Sequence, residues 1–119
     1  MKVYDITPVP KPRQTKRDKW LNPPRPCVAR YRAFADEVRA NKIEIAESGT
    51  SIMFVIPMPK SWSNQKKQEM YGDPHRQKPD LDNLIKSLFD STHEDDCVIY
   101  NITAHKIWGD KGQVWIKNA

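Results

Sequence analysis

Lys78-Pro79-Asp80-Leu81-Asp82-Asn83-Leu84-Ile85-Lys86-Ser87-Leu88-Phe89-Asp90 is the stretch around which the chain is organised. Leu81, Leu84, Ile85, Leu88 and Phe89 recur at i, i+3, i+4, i+7 and i+8, which lays one apolar stripe along a helix. Asp82, Lys86 and Asp90 step by four along a different face. Lys78 precedes a proline and is pushed toward extended geometry, so the helix begins after it. Asp80 is then the N-cap and Asp82 lies in the first turn.

Helix chemistry explains either aspartate alone. Asp is a preferred N-cap, and an acid in a first turn gains roughly 0.3–1 kcal/mol from the helix dipole. It explains less well why Asp80, Asp82, Asp90, Glu94, Asp95 and Asp96 crowd together in a chain of net charge +5. Residues two apart share a side in extended backbone and diverge within a helix. An Asp-x-Asp that straddles a helix start is therefore able to turn both carboxylates toward one point, where a hard cation would stabilise them.

Moving outward, the charge is segregated. Lys11 to Arg32 holds eight basic residues and one acid, Asp18. Lys60 to Lys78 holds five basic residues and two acids, Glu69 and Asp73, before the acidic block follows. A solvated surface accounts for either basic segment alone. Two such segments beside an acidic centre point to a polyanion drawn to a cation-binding site, and so to nucleic acid. Lys16, Arg17, Lys19, Lys60, Lys66, Lys67, Arg76 and Lys78 are the candidate phosphate contacts.

With 119 residues the expectation is one domain, burying about two-thirds of its unfolded surface. Cys27 and Cys97 have neither CxxC nor zinc spacing, which suits free thiols in a reducing cytoplasm. The N-terminus shows no apolar signal region, and no run is long enough to span a bilayer. Ten prolines against four glycines imply connections more extended than floppy.

Lys2 to Thr7 alternates and reads as a short strand, and the proline-rich Val9 to Pro26 as an ordered or semi-ordered loop. Trp20, within it, is expected to anchor the loop to the core more than to stack on a base. Val28, Tyr31, Ala35 and Val38 indicate a helix to about Asn41, with Ser48-Gly49 ending the weakly apolar segment that follows. Ile52 to Ile56 is continuously apolar, as in a central strand covered on both faces, and Pro57 and Pro59 end it. Ser63 to Tyr71 reads as a short helix stopped by Gly72. Val98 to Trp108, the turn Gly109-Asp110-Lys111-Gly112 and Gln113 to Lys117 read as a hairpin. The order predicts an α+β fold: a small mixed sheet with helices packed against it in two layers.

Asp95-Asp96 follows soon after the helix, and a tight return would bring a carboxylate back beside it; an ordinary acidic turn fits the spacing as well. Lys86 is either an exposed ion pair one turn from Asp82, or a cation that holds a phosphate and stabilises charge developing on it. His75, His93 and His105 have no zinc or nucleophile-base spacing and read as structural or surface residues. No Gly-rich phosphate loop, GxSxG or Ser/His/Asp pattern is present.

Asp80-Leu81-Asp82-Asn83-Leu84 with Lys86, followed by Asp95-Asp96-Cys97-Val98, resembles the RusA family of Holliday-junction resolvases. Ile56-Pro57-Met58-Pro59-Lys60-Ser61-Trp62-Ser63 and Pro74-His75-Arg76-Gln77-Lys78-Pro79 are similar to its phage and prophage branch. The resemblance implies a homodimeric endonuclease dependent on Mg²⁺ (Mn²⁺ as the alternative). Such an enzyme nicks two opposed strands of a four-way DNA junction in recombination and repair, in the cytoplasm of a bacterial or phage-infected cell. Asp80, Asp82 and Asp96 match the family's catalytic, metal-binding acids, Lys86 matches its lysine, and Asp95 ranks behind Asp96 as a ligand. Trp108, Trp115 and the C-terminal hairpin offer apolar surface for a dimer, though core packing explains the tryptophans equally. Two other readings stand beside this one: a non-catalytic basic DNA-binding module whose aspartates merely cap a helix, and a metal nuclease acting on flaps or other branched DNA.

Overall fold

β2, Ser48–Pro57, forms where the apolar run Ile52 to Ile56 is densest, and it lies inside the sheet. In the computed structural model, which describes all residues except Gln14, Glu94, Asp95 and Ala119 and only the backbone of Asp96, four strands are ordered β1-β4-β2-β3. β1 is Lys2–Tyr4, β3 is Asn101–Gly109 and β4 is Gln113–Lys117. β2 runs parallel to β3 and antiparallel to β4, and β1 pairs antiparallel with β4. The sheet is mixed, as expected.

The hairpin is not. β3 and β4 are consecutive in sequence, yet β2 lies between them. The turn-like Gly109 to Gly112 link therefore steps across β2 instead of folding one strand back on its neighbour. A Cβ on Gly109 would overlap the Val55 side chain, and one on Gly112 would overlap Thr7. The physical reason is burial: a β3–β4 hairpin would leave the most apolar strand at a sheet edge, whereas insertion gives it a partner on both sides. Ser48-Gly49 does not end the preceding segment but opens β2, with Gly49 at φ 81° where the register with β3 shifts. That is a glycine bulge.

Ile52, Phe54 and Ile56 face one way, with Val114, Ile116 and Trp108 as their cross-strand partners. All six join Phe34 and Val38 of helix α1 (Pro26–Ala40) and Leu84, Leu88 and Phe89 of helix α3 (Leu81–Thr92) in one buried core. Full burial of Leu84 and Leu88 contributes about 1.5–3 kcal/mol each. The stripe read from the sequence is the buried face of α3, with Leu81 and Ile85 at its margins. Helix α2, Asn64–Met70, is capped by Ser63, whose hydroxyl accepts the Lys66 N–H, and Gly72 ends it at φ 79°.

Coverage of β2 on both faces is only partly observed. On the second face Val55 is buried, but Met53 is half-buried between its neighbours Trp115 and His105. Trp20 differs from expectation, and Trp108 takes the core alternative of its two readings. Trp20 is 86% exposed and anchors nothing. Trp108 is a core residue packed at a tilt against Trp62 and His75, at ring-centre distances of 4.8 and 4.3 Å, and offers no dimer surface.

Candidate functional site

The free edge of β3 is covered by the segment that leads into α3. Gly72 N–H donates to the Trp108 carbonyl, Trp108 N–H to Asp73, and His75 N–H to Lys106. Pro74 bridges Ile107 in the same register. Beyond His75 the chain leaves the strand, and the Lys106 ammonium continues the attachment. Its Nζ donates to the carbonyls of Gln77 at 2.5 Å and Pro79 at 2.7 Å. The next residue is Asp80.

Asp80 occupies the N-cap of α3 with extended backbone, φ −70° and ψ 145°, and its carbonyl accepts the Leu84 N–H. Its carboxylate makes no capping hydrogen bond. Helix capping therefore accounts for the position of Asp80 but not for an exposed carboxylate left out of the cap. Asp82 stands exposed in the first turn. Neither carboxylate has an ion-pair partner among the described residues, and an exposed set of carboxylate oxygens is the donor chemistry that suits a hard divalent cation. Among the described residues, no group of three or more His, Cys, Asp or Glu is gathered as a metal site. Asp96 opens a short 3-10 turn, Asp96–Val98, but its side chain, like all of Asp95, lies outside the described residues.

Lys86 lies one turn beyond Asp82, with Nζ 3.4 Å from Asp90. The other oxygen of Asp90 takes Lys11 Nζ at 3.2 Å. Lys11 also sits over the Tyr31 ring and donates its backbone N–H to Asn83. The proline-rich loop is thereby strapped along α3. Between loop and helix runs a groove of about 560 Å³, walled by Thr7, Pro8, Val9 and Pro10 on one side and by Pro79, Asp80 and Asn83 on the other. Arg30 and Lys78 line it as well.

The first basic cluster is ordered by its single acid. Asp18, 3% exposed, accepts from Arg25 Nε and Nη2, both at 2.8 Å, and from the Thr15 N–H at 2.6 Å. The Arg25 guanidinium, then the Thr15 amide, holds the Asp18 carboxyl well below the usual carboxylate range. With the acid turned inward, Lys16, Arg17 and Lys19 project outward from the 3-10 turn Lys16–Lys19, beside Trp20. Of the second cluster, Lys60, Lys66 and Arg76 are exposed, Lys67 is half-buried, and Lys66 lies 4.3 Å over the Trp62 ring. Lys78 alone of the expected phosphate contacts lines the groove at Asp80.

His75 is structural, as expected: it is 4% exposed against Trp108. Sequence reading passed over Lys106, which is indistinguishable from any lysine in an alternating strand. It also gave no weight to Arg30, one basic residue among eight. Comparison with curated proteins gives no match. A family model described as endodeoxyribonuclease RusA matches residues 5–117.

Proposed function

The chain belongs to the endodeoxyribonuclease RusA family, and from that premise we propose that it resolves four-way DNA junctions by paired, divalent-metal-dependent nicks as a homodimer. The observation that carries this reading is Asp80, an N-cap residue whose exposed carboxylate caps nothing and borders a groove lined by Arg30 and Lys78.

In this reading Asp80 and Asp82, with Asp96, hold Mg²⁺, or alternatively Mn²⁺. A divalent cation bound there supplies Lewis-acid charge at the scissile phosphate and makes water a better nucleophile at neutral pH. Lys86 Nζ donates to a non-bridging phosphate oxygen and stabilises the charge that develops on it. Asp90 keeps that ammonium on the same flank of α3 as Asp82, one turn away. Arg30 and Lys78 hold the backbone of the strand in the groove. Lys16, Arg17, Lys19, Lys60, Lys66, Lys67 and Arg76 extend the grip along the arms, giving affinity without sequence reading. Trp20, exposed among the first cluster, stacks on a base unpaired at the branch.

The test uses a labelled four-way junction, a flap and a linear duplex, each with Mg²⁺ and with chelator. Wild type should cut the junction in Mg²⁺ alone. Asp80→Asn and Asp82→Asn keep side-chain size and should lose cleavage by orders of magnitude while still binding the junction in chelator. Binding without cleavage by wild type would leave a DNA-binding module, preference for flaps a different nuclease. Metal-dependent nicking retained by both variants would remove the aspartates from the chemistry.

A further inference from the structure

Lys106 belongs to neither acidic nor basic cluster, yet it holds the backbone from which Asp80 springs. It sits on β3 directly opposite Phe54 of β2, on the sheet face that carries Trp108. From there its ammonium reaches two carbonyls, Gln77 at 2.5 Å and Pro79 at 2.7 Å. An ammonium has three donors and no acceptor, so two backbone oxygens are bound by one charge. Pro79 has no N–H with which to extend the backbone attachment that ends at His75. The side chain thus replaces the ladder where the ladder stops.

Removing the charge would leave two neighbouring carbonyls to separate waters, with no single group holding them together. The peptide units from Gln77 to Pro79 are then free to rotate, and any such rotation swings the Asp80 side chain. We propose that Lys106 is a positioning residue that fixes the approach to α3 and so aims the Asp80 carboxylate at the reacting phosphate. This rests on the junction-nuclease reading for its consequence in catalysis, though not for the clamp itself.

Lys106→Met keeps length and apolar packing but removes the donors. Its kcat on the four-way junction should fall by about ten- to a hundredfold, the penalty expected of a displaced reacting group. Junction affinity in chelator should stay within about twofold. The Mg²⁺ concentration for half-maximal cleavage should rise several-fold, and Lys106→Arg should recover most of the loss. Two measurements need no activity: amide exchange, expected to quicken from Gln77 to Leu84 and not in α1 or β2, and Mg²⁺ titration of the free protein followed at the Asp80 to Asn83 amides, expected to weaken. Unchanged exchange and Mg²⁺ binding would overturn the proposal, as would a uniform rise in exchange, which would make Lys106 a residue of general stability. Weakened junction affinity with normal kcat would make it a DNA contact and overturn it too. If wild type cuts no branched DNA while Lys106→Met still loosens the segment and weakens Mg²⁺ binding, the nuclease reading fails and the clamp stands.

Discussion

Lys86 and Asp90 are paired in the orientation that serves a helix least. At i, i+4 the favourable order places the acid first, in keeping with the dipole, and here the lysine comes first. Lys86 remains 54% exposed in this pair, which limits its worth to under about 1 kcal/mol. The pair with Asp90 is therefore a poor reason for this lysine. Lys86→Ala should cost little in urea unfolding and leave junction affinity nearly unchanged, while turnover at saturating DNA falls by at least about a hundredfold; near-normal turnover would reduce it to a surface pair. His75 makes a residue-scale prediction of another kind. Burial, then the nearby charge of Lys106, lowers its pKa, so the folded state keeps the imidazole neutral where the unfolded chain takes a proton. This site makes no pH-dependent contribution above the unfolded value, about 6.5. As pH drops below that value toward the lowered folded pKa, the unfolded chain binds more protons and stability falls. Urea midpoints from pH 8 to 5 should show the wild-type decline, and His75→Gln should flatten it.

At the scale of elements, the link from Gly109 to Gly112 decides which strands are neighbours. It passes so close to β2 that a side chain at 109 meets Val55. Gly109→Ala should therefore destabilise by about 1–3 kcal/mol, the usual cost of overpacking. The obstacle is one side chain and not backbone, so Val55→Ala in the same molecule should recover part of that loss. Additive destabilisation in the double variant, measured by chemical unfolding, would mean that the link does not rest on Val55. The same crossing delivers β4 to the far side of β2, where Trp115 meets Met53. α3 depends on the arrangement at its other end. Its approach is tied to the free edge of β3 from Gly72 to His75, and that attachment brings the Pro79 carbonyl to Lys106.

For the whole molecule, the open face of the sheet and the segregation of charge matter most. Met53 and Trp115 are half-buried on the sheet face opposite the core cluster, while Trp108 is committed to the core. Surface of the first kind is available to the proposed dimer, and the Trp108 side chain is not. Matched nicks in two opposed strands need two acidic centres, and a closed two-fold dimer supplies them from one sequence. Mixing wild type with Asp82→Asn should yield heterodimers that nick one strand and leave its opposite whole. Sedimentation as a monomer, free and on the junction, would end that mechanism whatever the fate of the nicking itself. No helix among the described residues is long and apolar enough to cross a membrane.

Elements specified by local chemistry could be read along the chain. The 3.6-residue stripe placed α3 and its buried face, Lys78-Pro79 and Asp80 placed its start, Ser63 and Gly72 bracketed α2, and the apolar run of β2 marked a central strand. The positions of Asp80 at the N-cap, Asp82 in the first turn and Lys86 one turn further on were legible for the same reason, since one helix sets their spacing. Partners were not legible. Gly109-Asp110-Lys111-Gly112 has the composition of a hairpin turn, and only the gain from burying β2 between two strands tells it to cross instead. Trp20 and Trp108 are equally apolar, and one is 86% exposed while the other is 4% exposed, because Trp108 lies on the core face of β3 and Trp20 follows a surface 3-10 turn. Lys106 carries no local signal at all. Its role arises from two carbonyls twenty-seven and twenty-nine residues earlier in the chain, brought to it by a strand pairing that no short stretch of sequence encodes.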